Sequence, residues 1–218
     1  MVSKTKTAYV CNDCGADYRK WQGQCAECNA WNTLSEIRLG SPARGGKILR
    51  PGFAGAVDGA VKTLADIALD EIPRISSGSG ELDLVLGGGF VPGSCVLLGG
   101  EPGAGKSTVL LQTLCAMAES NSALYVTGEE SPQQIAMRAN RLGLPTTKLE
   151  IMAETSVEIV CAIAEQKRPK ILVVDSIQVM HIEEVASAPG SVSQVRESAA
   201  MLVRFAKQTG TVLILVGH

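Results

Sequence analysis

Short apolar runs alternate with segments of mixed character from residue 94 onward. The runs are SCVLLGG at 94–100, ALYVT at 123–127, LEIMAE at 149–154, KILVVDS at 170–176 and TVLILVGH at 211–218. A nearly continuous apolar run is typical of a strand that helices cover on both faces of a parallel sheet. Five such strands alternating with helical segments predict an α/β fold, with a mostly parallel, doubly wound sheet and right-handed crossovers.

Polar residues mark where the intervening helices begin and end. Residues 131–134 form a capping box with proline at the first helical position, and Gly143 ends that helix. A second capping box is predicted at 155–158, from Thr155 to Glu158. Residues 191–194 open a long amphipathic helix that ends at Gly210.

The first third of the sequence lacks this alternation. Residues 38–59 are rich in glycine and proline and show no sustained period, which is typical of a linker. Residues 60–73 have alternating apolar positions and are expected to form a strand or turn against the following domain. We therefore predict a small module at 1–36, a linker at 37–59 and the main domain at 60–218.

Composition and charge restrict the class of protein. Hydrophobic residues make up 45% and charged residues 19%, and no apolar run reaches the roughly 18 residues that a membrane helix requires. The N-terminus lacks the apolar core of a secretory signal, so we expect a cytoplasmic protein whose seven cysteines are reduced, metal-bound or buried. Residues 1–50 hold eight Lys or Arg against four Asp or Glu, but four thiolates on Zn²⁺ would halve that excess, so charge alone does not establish nucleic-acid binding.

Four cysteines near the N-terminus have the spacing of a metal site. Cys11, Cys14, Cys25 and Cys28 form C-x₂-C-x₁₀-C-x₂-C, which predicts a tetrahedral, structural zinc site with no open position. Redox dithiols or buried cysteines are the weaker alternative, because a redox motif needs only one such pair.

Two further groups of residues are interpreted as packing. Trp21 and Trp31 flank the second cysteine pair, either as a small apolar cover, which we favour, or as platforms on which bases stack. Cys95, Cys115 and Cys161 have apolar neighbours and are expected to be packed thiols.

The first apolar run leads directly into a phosphate-binding motif. Residues 100–107 match G-x-x-x-x-G-K-[ST] between a predicted strand and a predicted helix. Glycines let the loop amides close round phosphate oxygens, Lys106 can reach the β- and γ-phosphates, and Ser107 can offer its hydroxyl to Mg²⁺. The predicted ATP-binding residues are Gly100, Glu101, Pro102, Gly103, Ala104, Gly105, Lys106, Ser107 and Thr108.

Two other predicted strands end in acidic residues. Asp175 ends the run at 170–176, at the strand end where ligands bind in open α/β sheets, and we assign it to the Mg²⁺ ion beside the phosphates. Glu129 and Glu130 follow the run at 123–127, and either could polarise the attacking water. We favour Glu129 as the catalytic base, since Glu130 also fits the start of the next helix.

Taken together, these motifs resemble a known family. The segment RISSGSGELDLVLGGGFVPGSCVLLGGEPGAGKST, the four-cysteine module before it, and YVTGEES and VVDSIQVM behind it are similar to the bacterial RadA (Sms) family of DNA repair proteins, relatives of RecA and of hexameric helicases. The resemblance implies a RecA-like core with sheet order 3-2-4-5-1, in which the final strand separates the Asp175 strand from the phosphate-loop strand.

The resemblance also implies a function. It implies a DNA-dependent ATPase of recombinational repair that promotes branch migration on single-stranded or branched DNA, with a recombinase-type partner. It implies a homo-oligomeric ring, a hexamer, with ATP between subunits. Family members continue with a Lys-Asn-Arg-Phe-Gly motif and a domain similar to Lon protease, so we expect this sequence to be C-terminally truncated and its phosphate-loop strand to be exposed at the sheet edge.

Some positions and some functions stay open. The resemblance places the segment HIEEVASAPGSVSQVRES towards the central DNA channel, with Arg196 nearby, but Glu183 and Glu184 in that segment repel phosphate. Two alternative functions remain: a KaiC-like ATP-driven signalling ring, against which the zinc module argues, and a zinc-dependent protein-interaction module with a nucleotide switch.

Overall fold

The structure is a computed structural model, and it describes residues 6–39, 63–66 and 73–217. The predicted linker at 37–59 lies almost wholly outside these residues. Of the predicted strand or turn at 60–73, the described part contains a 3₁₀ turn at Leu64–Asp66. No helix in these three ranges is long and apolar enough to cross a membrane.

A small antiparallel sheet forms the N-terminal module. Its strands are β1 (Lys6–Cys11), β2 (Asp17–Tyr18) and β3 (Leu34–Leu39), in the order β2-β1-β3. Its buried hydrophobic cluster is small: Cys11, Cys25 and Leu34, with Tyr9, Ala16 and Tyr18 packed against them. A hydrophobic core of this size cannot hold a fold by itself, so the module depends on its metal site.

The main domain is a five-stranded parallel sheet with helices on both faces. After a short helix α1 (Gly80–Val85), its elements are β4 (Cys95–Gly99), α2 (Lys106–Ala118), β5 (Ala123–Thr127), α3 (Pro132–Arg141), β6 (Leu149–Ala153), α4 (Val157–Lys167), β7 (Ile171–Asp175), α5 (Val192–Thr209) and β8 (Val212–Gly217). The order β4-β8-β7-β5-β6 confirms the predicted fold class and the 3-2-4-5-1 sheet.

The core has two layers because successive strand side chains point to opposite faces. Tyr125 and Val173 face α2 and α3, whereas Leu124 and Leu172 face α4 and α5. The three central strands are therefore buried on both faces, except at the end of β7, as their continuous apolar runs predicted.

The two outer strands are partly exposed. β4 lies at one edge, where Leu97 is 66% exposed, which confirms the predicted open edge at the phosphate-loop strand. The same exposure corrects one prediction: Cys95 is exposed, not packed, because it lies on this outer strand. Cys115 is buried as expected, and Cys161 is half-buried.

The helix starts agree with the sequence at two of three places. Ser131 and Gln134 form the predicted reciprocal capping box, and the Ser191 hydroxyl caps α5 by accepting from the amide of Gln194. At α4, however, the cap is Ser156 rather than Thr155. The Glu154 carboxylate accepts the amides of both residues, at 2.7 and 2.9 Å, and the helix begins one residue later than predicted.

Candidate functional site

The loop between β4 and α2 is shaped to receive an anion. Gly103 and Gly105 have φ values of +81° and +82°, a region that residues with a side chain rarely adopt. A Cβ atom added at either glycine would meet no atom within 4 Å, so the loop faces open space. Among the described residues, the amides of Gly103, Gly105, Lys106 and Ser107 have no hydrogen-bond acceptor.

Lys106, at the first turn of α2, folds back over this loop. Its Nζ donates to the carbonyl oxygens of Gly100, at 2.5 Å, and Glu101, at 2.8 Å. The neighbouring hydroxyl of Ser107 has no hydrogen-bond partner in the described ranges. The loop thus offers free amides, one cation and one free hydroxyl at the N-terminus of a helix, where the helix dipole favours negative charge.

Asp175 ends β7 at the carboxyl end of the parallel strands, the same end at which the loop follows β4. Because β8 lies between β4 and β7, Asp175 and the loop are separated by two strand spacings, about 10 Å between backbones. The buried Tyr125 hydroxyl donates to Oδ2 of Asp175 at 2.5 Å, which leaves Oδ1 without a partner among the described residues. Burial, followed by the charge of Asp175, raises the pKa of Tyr125, so its hydroxyl remains a donor.

The two glutamates after β5 have different surroundings. Glu130 is half-buried and forms an ion pair with Arg138 of α3, and its backbone is held by the Thr127 hydroxyl. Glu129 is exposed, and its carboxylate accepts a hydrogen bond from the buried Ser176, the residue after Asp175. Since Thr127 and Asp175 are partners in the strand register, Glu129 lies close to the Asp175 end of the site.

The four cysteines of the N-terminal module converge on one point. Their Sγ atoms all lie within 4.8 Å of one another, with Cys11 3.6 Å from Cys28 and Cys14 3.4 Å from Cys25. Ligands at the Zn–S distance of about 2.3 Å in a tetrahedron are about 3.8 Å apart, so the four thiols fit zinc. None of the four forms a disulfide.

Two equivalent turns bring these thiols together. Gly15 and Asn29 each follow a C-x₂-C pair, have positive φ values, and donate their amides to the first cysteine's carbonyl at 2.9 Å. The backbone amide of Cys28 and the hydroxyl of Tyr18 lower the pKa of Cys25 to about 6, which favours the thiolate that zinc binds.

Comparison with protein families agrees with both parts of this geometry. A family model described as "AAA domain" matches residues 74–218, and one described as "Rubredoxin metal binding domain" matches residues 9–36. The chain belongs to the AAA domain family. The family match implies a nucleotide-binding domain, and the second match, together with the four thiols, implies a zinc site.

Curated relatives match the whole chain. It is 57% identical to the DNA repair protein RadA of Haemophilus influenzae, 58% to that of Escherichia coli and 42% to that of Bacillus subtilis, each over 100% of this chain. These alignments cover 48%, 48% and 47% of the respective relatives, so the chain spans about half their length.

The segment expected near a DNA channel consists of a loop before α5 and the first two turns of α5. The side chain of Gln194 binds the loop at four points: the amide of Ile182 and the carbonyls of Ile182, Val185 and Ser187, at 2.9 to 3.2 Å. Arg196 pairs with Glu197 at 3.3 Å, and Glu183 and Glu184 are exposed. These contacts explain the loop's shape and do not identify a DNA site.

Three residues of the AAA domain site were not predicted from the sequence: Tyr125, Arg138 and Ser176. Tyr125 lies within an apolar run, and nothing in the sequence pattern indicates a role for its hydroxyl. Arg138 lies eight positions after Glu130, and Ser176 is 47 positions from Glu129. Of these, only Ser176 carried a sequence signal, because it directly follows the assigned acid.

Proposed function

We propose that the chain is the nucleotide-hydrolysing part of a DNA repair ATPase, which binds ATP with Mg²⁺ at residues 100–108 and hydrolyses it in response to DNA. The observation that carries this proposal is the set of four unpartnered amides in a left-handed glycine loop, next to Lys106. Two of the four, at Lys106 and Ser107, are the unpaired first amides of α2, and together with those of the two left-handed glycines they form a set of donors suited to a phosphate group.

The roles of the residues follow from where their polar atoms lie. The free amides of Gly103, Gly105, Lys106 and Ser107 would hold the β-phosphate, and the Lys106 ammonium would exchange the two loop carbonyls for phosphate oxygens. A hydroxyl and a carboxylate are ligands that Mg²⁺ prefers, and Ser107 and Asp175 fit that set. The ion, when bound, neutralises charge on the β- and γ-phosphates. Tyr125 keeps Asp175 oriented by occupying its second oxygen.

Glu129 is proposed to polarise the attacking water. It is exposed on the phosphate side of the sheet, and it has no cation bound to it among the described residues. Glu130 is proposed to have a structural role, because Arg138 already neutralises it. The ion pair also occupies that carboxylate, so it is less available to contact an attacking water.

The biological setting is proposed from the names of the relatives. Their name, DNA repair protein, supports DNA as the effector, and within that we propose single-stranded or branched DNA, with recombination intermediates as the substrate that is processed. A cytoplasmic, homo-oligomeric ring with ATP between subunits, together with a recombinase-type partner, belongs to the same proposal. So do the domain bounds at 1–36, 37–59 and 60–218.

Nucleotide binding by this chain tests the proposal most directly. Titration with a fluorescent ATP analogue and Mg²⁺ should show binding that Lys106→Ala weakens by about 10- to 100-fold, since charge-assisted hydrogen bonds are lost. Lys148→Ala is the matched control, because Lys148 forms a surface ion pair with Glu119 and should leave binding unchanged. Equal binding by both variants would reject the site.

Hydrolysis tests the second half of the proposal. Phosphate release should rise when single-stranded DNA is added, and Lys106→Ala should abolish both the basal and the stimulated rates. Turnover that DNA does not change would point instead to a signalling ring or a nucleotide switch.

A further inference from the structure

Two tryptophans on the zinc module are exposed instead of covering it. Trp21 is 58% and Trp31 68% exposed, whereas the module's buried cluster consists of Cys11, Cys25 and Leu34. The interpretation of the indoles as an apolar cover is therefore wrong. Exposed aromatic side chains are informative where they share one surface, since contiguous apolar patches mark interaction sites and singly scattered ones do not.

The two indoles belong to one face. A Cβ atom added at Gly23 would lie 3.6 Å from the ring of Trp31 and 3.9 Å from the ring of Trp21, so both rings border the same backbone position. A β-bridge between Gln24 and Trp31 and the bond from Asn32 N to Gly23 O, at 2.7 Å, fix that backbone. Because residue 23 has no side chain, the surface between the rings is left open.

Cations adjoin this face in the chain. Arg19 and Lys20 directly precede Trp21, are exposed, and have no ion pair among the described residues. Residues 6–39 as a whole contain four cations and four acids, and zinc-bound thiolates add negative charge. The module therefore offers local phosphate contacts and two flat apolar rings, without the strong positive field that would draw any polyanion.

We propose that the face formed by Trp21, Gly23 and Trp31 binds single-stranded DNA by stacking bases on the indole rings, with Arg19 and Lys20 on the flanking phosphates. Stacking is sequence-tolerant because every base has a π face, and it supplies affinity where net charge does not. The identity of the ligand as DNA rests on the proposed function, whereas the existence of the aromatic face does not.

Intrinsic fluorescence reports on this face alone, because Trp21 and Trp31 are the only tryptophans in the chain. Titrating the zinc-loaded chain with a short oligothymidylate, without ATP, should quench their emission as thymines stack on them. An abasic oligomer with the same sugar–phosphate backbone should not quench it. Unchanged emission with the oligothymidylate, or equal quenching by both oligomers, would overturn the proposal.

Variants separate stacking from charge. Anisotropy of a labelled oligothymidylate should show roughly tenfold weaker binding for Trp21→Ala or Trp31→Ala, and near-normal binding for the matched Phe variants. If two phosphates are contacted, the logarithm of the association constant for the oligothymidylate should fall linearly with the logarithm of the salt concentration, with a slope of about −1.4. In Arg19→Ala the slope should be smaller in magnitude by about 0.7. All variants should retain zinc, which shows that they are folded. Unchanged affinity for the oligothymidylate in the variant that carries both Trp21→Ala and Trp31→Ala would contradict the proposal.

The Lys106→Ala variant distinguishes this proposal from the proposed function. It should bind nucleotide about 10- to 100-fold more weakly and keep oligothymidylate quenching, because the aromatic face is not part of the nucleotide site. If the wild-type chain binds no nucleotide but quenching persists, only the nucleotide function fails. If DNA stimulates hydrolysis but no quenching occurs, only the aromatic face fails.

Discussion

At the scale of single residues, the structure gives two adjacent glutamates different surroundings. Glu130 is paired with Arg138, whereas Glu129 is exposed and, in the described part of the chain, accepts a hydrogen bond from Ser176 alone. The structure therefore separates an exposed carboxylate from one that is paired with a guanidinium, and this difference is the basis for proposing Glu129 as the base. Such a separation gives each residue a different expected phenotype.

We predict that Glu129→Gln lowers the single-turnover rate of ATP hydrolysis by about 100-fold or more, with nucleotide affinity retained, because a general base is lost. Glu130→Gln should keep most of that rate but destabilise the fold by about 1–3 kcal/mol, since half-buried Arg138 loses its charged partner. Quench-flow and urea unfolding measure the two effects. The reverse assignment of phenotypes would make Glu130 the base.

The residues of this site differ in how far the sequence could predict them. The motif of the phosphate loop is recognisable in the sequence because its glycines, lysine and serine are contiguous, and the structure places it between a strand and a helix as expected. The bond from Tyr125 to Asp175 spans 50 positions and depends on the pairing of β5 with β7. A pattern in one sequence shows which strands exist, but it does not show which side chains become neighbours.

At the scale of elements, the start of α4 shows how a local rule can be displaced by one residue. Both Thr155 and Ser156 suit an N-cap, and the Thr155–Glu158 spacing favoured the first. Glu154 accepts the amides of Thr155 and Ser156, and this leaves the Ser156 hydroxyl to accept from Ile159. Local rules also do not determine the order of the strands in the sheet, since the alternation of strands and helices fits several orders. The correct order was predicted from the family resemblance.

The two candidate caps can be compared directly. Ser156→Ala should lower the free energy of unfolding by about 1 kcal/mol, because the orphan amide of Ile159 loses its acceptor. Thr155→Ala, the matched control one position earlier, removes no cap bond and should cost less. Urea unfolding of the two variants measures the difference. A larger loss for Thr155→Ala would restore the original sequence prediction.

At the scale of the whole molecule, the buried clusters fall into separate units. The two core layers of the AAA domain share no residue with the cluster of the zinc module. In the described part of the chain, the two units meet at Val192, whose amide donates to the carbonyl oxygen of Asn12 at 3.3 Å and whose side chain lies beside Gly15. Their folding should therefore be largely uncoupled, with the smaller unit depending on its metal.

Zinc removal tests that independence. The chain should bind a single zinc ion, and a chelator should remove it and shift the emission of Trp21 and Trp31, because the module's buried cluster is too small to persist alone. Far-UV circular dichroism and nucleotide binding should remain nearly unchanged, since the helices and the phosphate loop belong to the AAA domain. Cys25→Ser should reproduce the chelated state, and Cys161→Ser, a half-buried cysteine outside the cluster, should not. Cooperative loss of the helical signal with the metal would instead mean that both units share one folding transition.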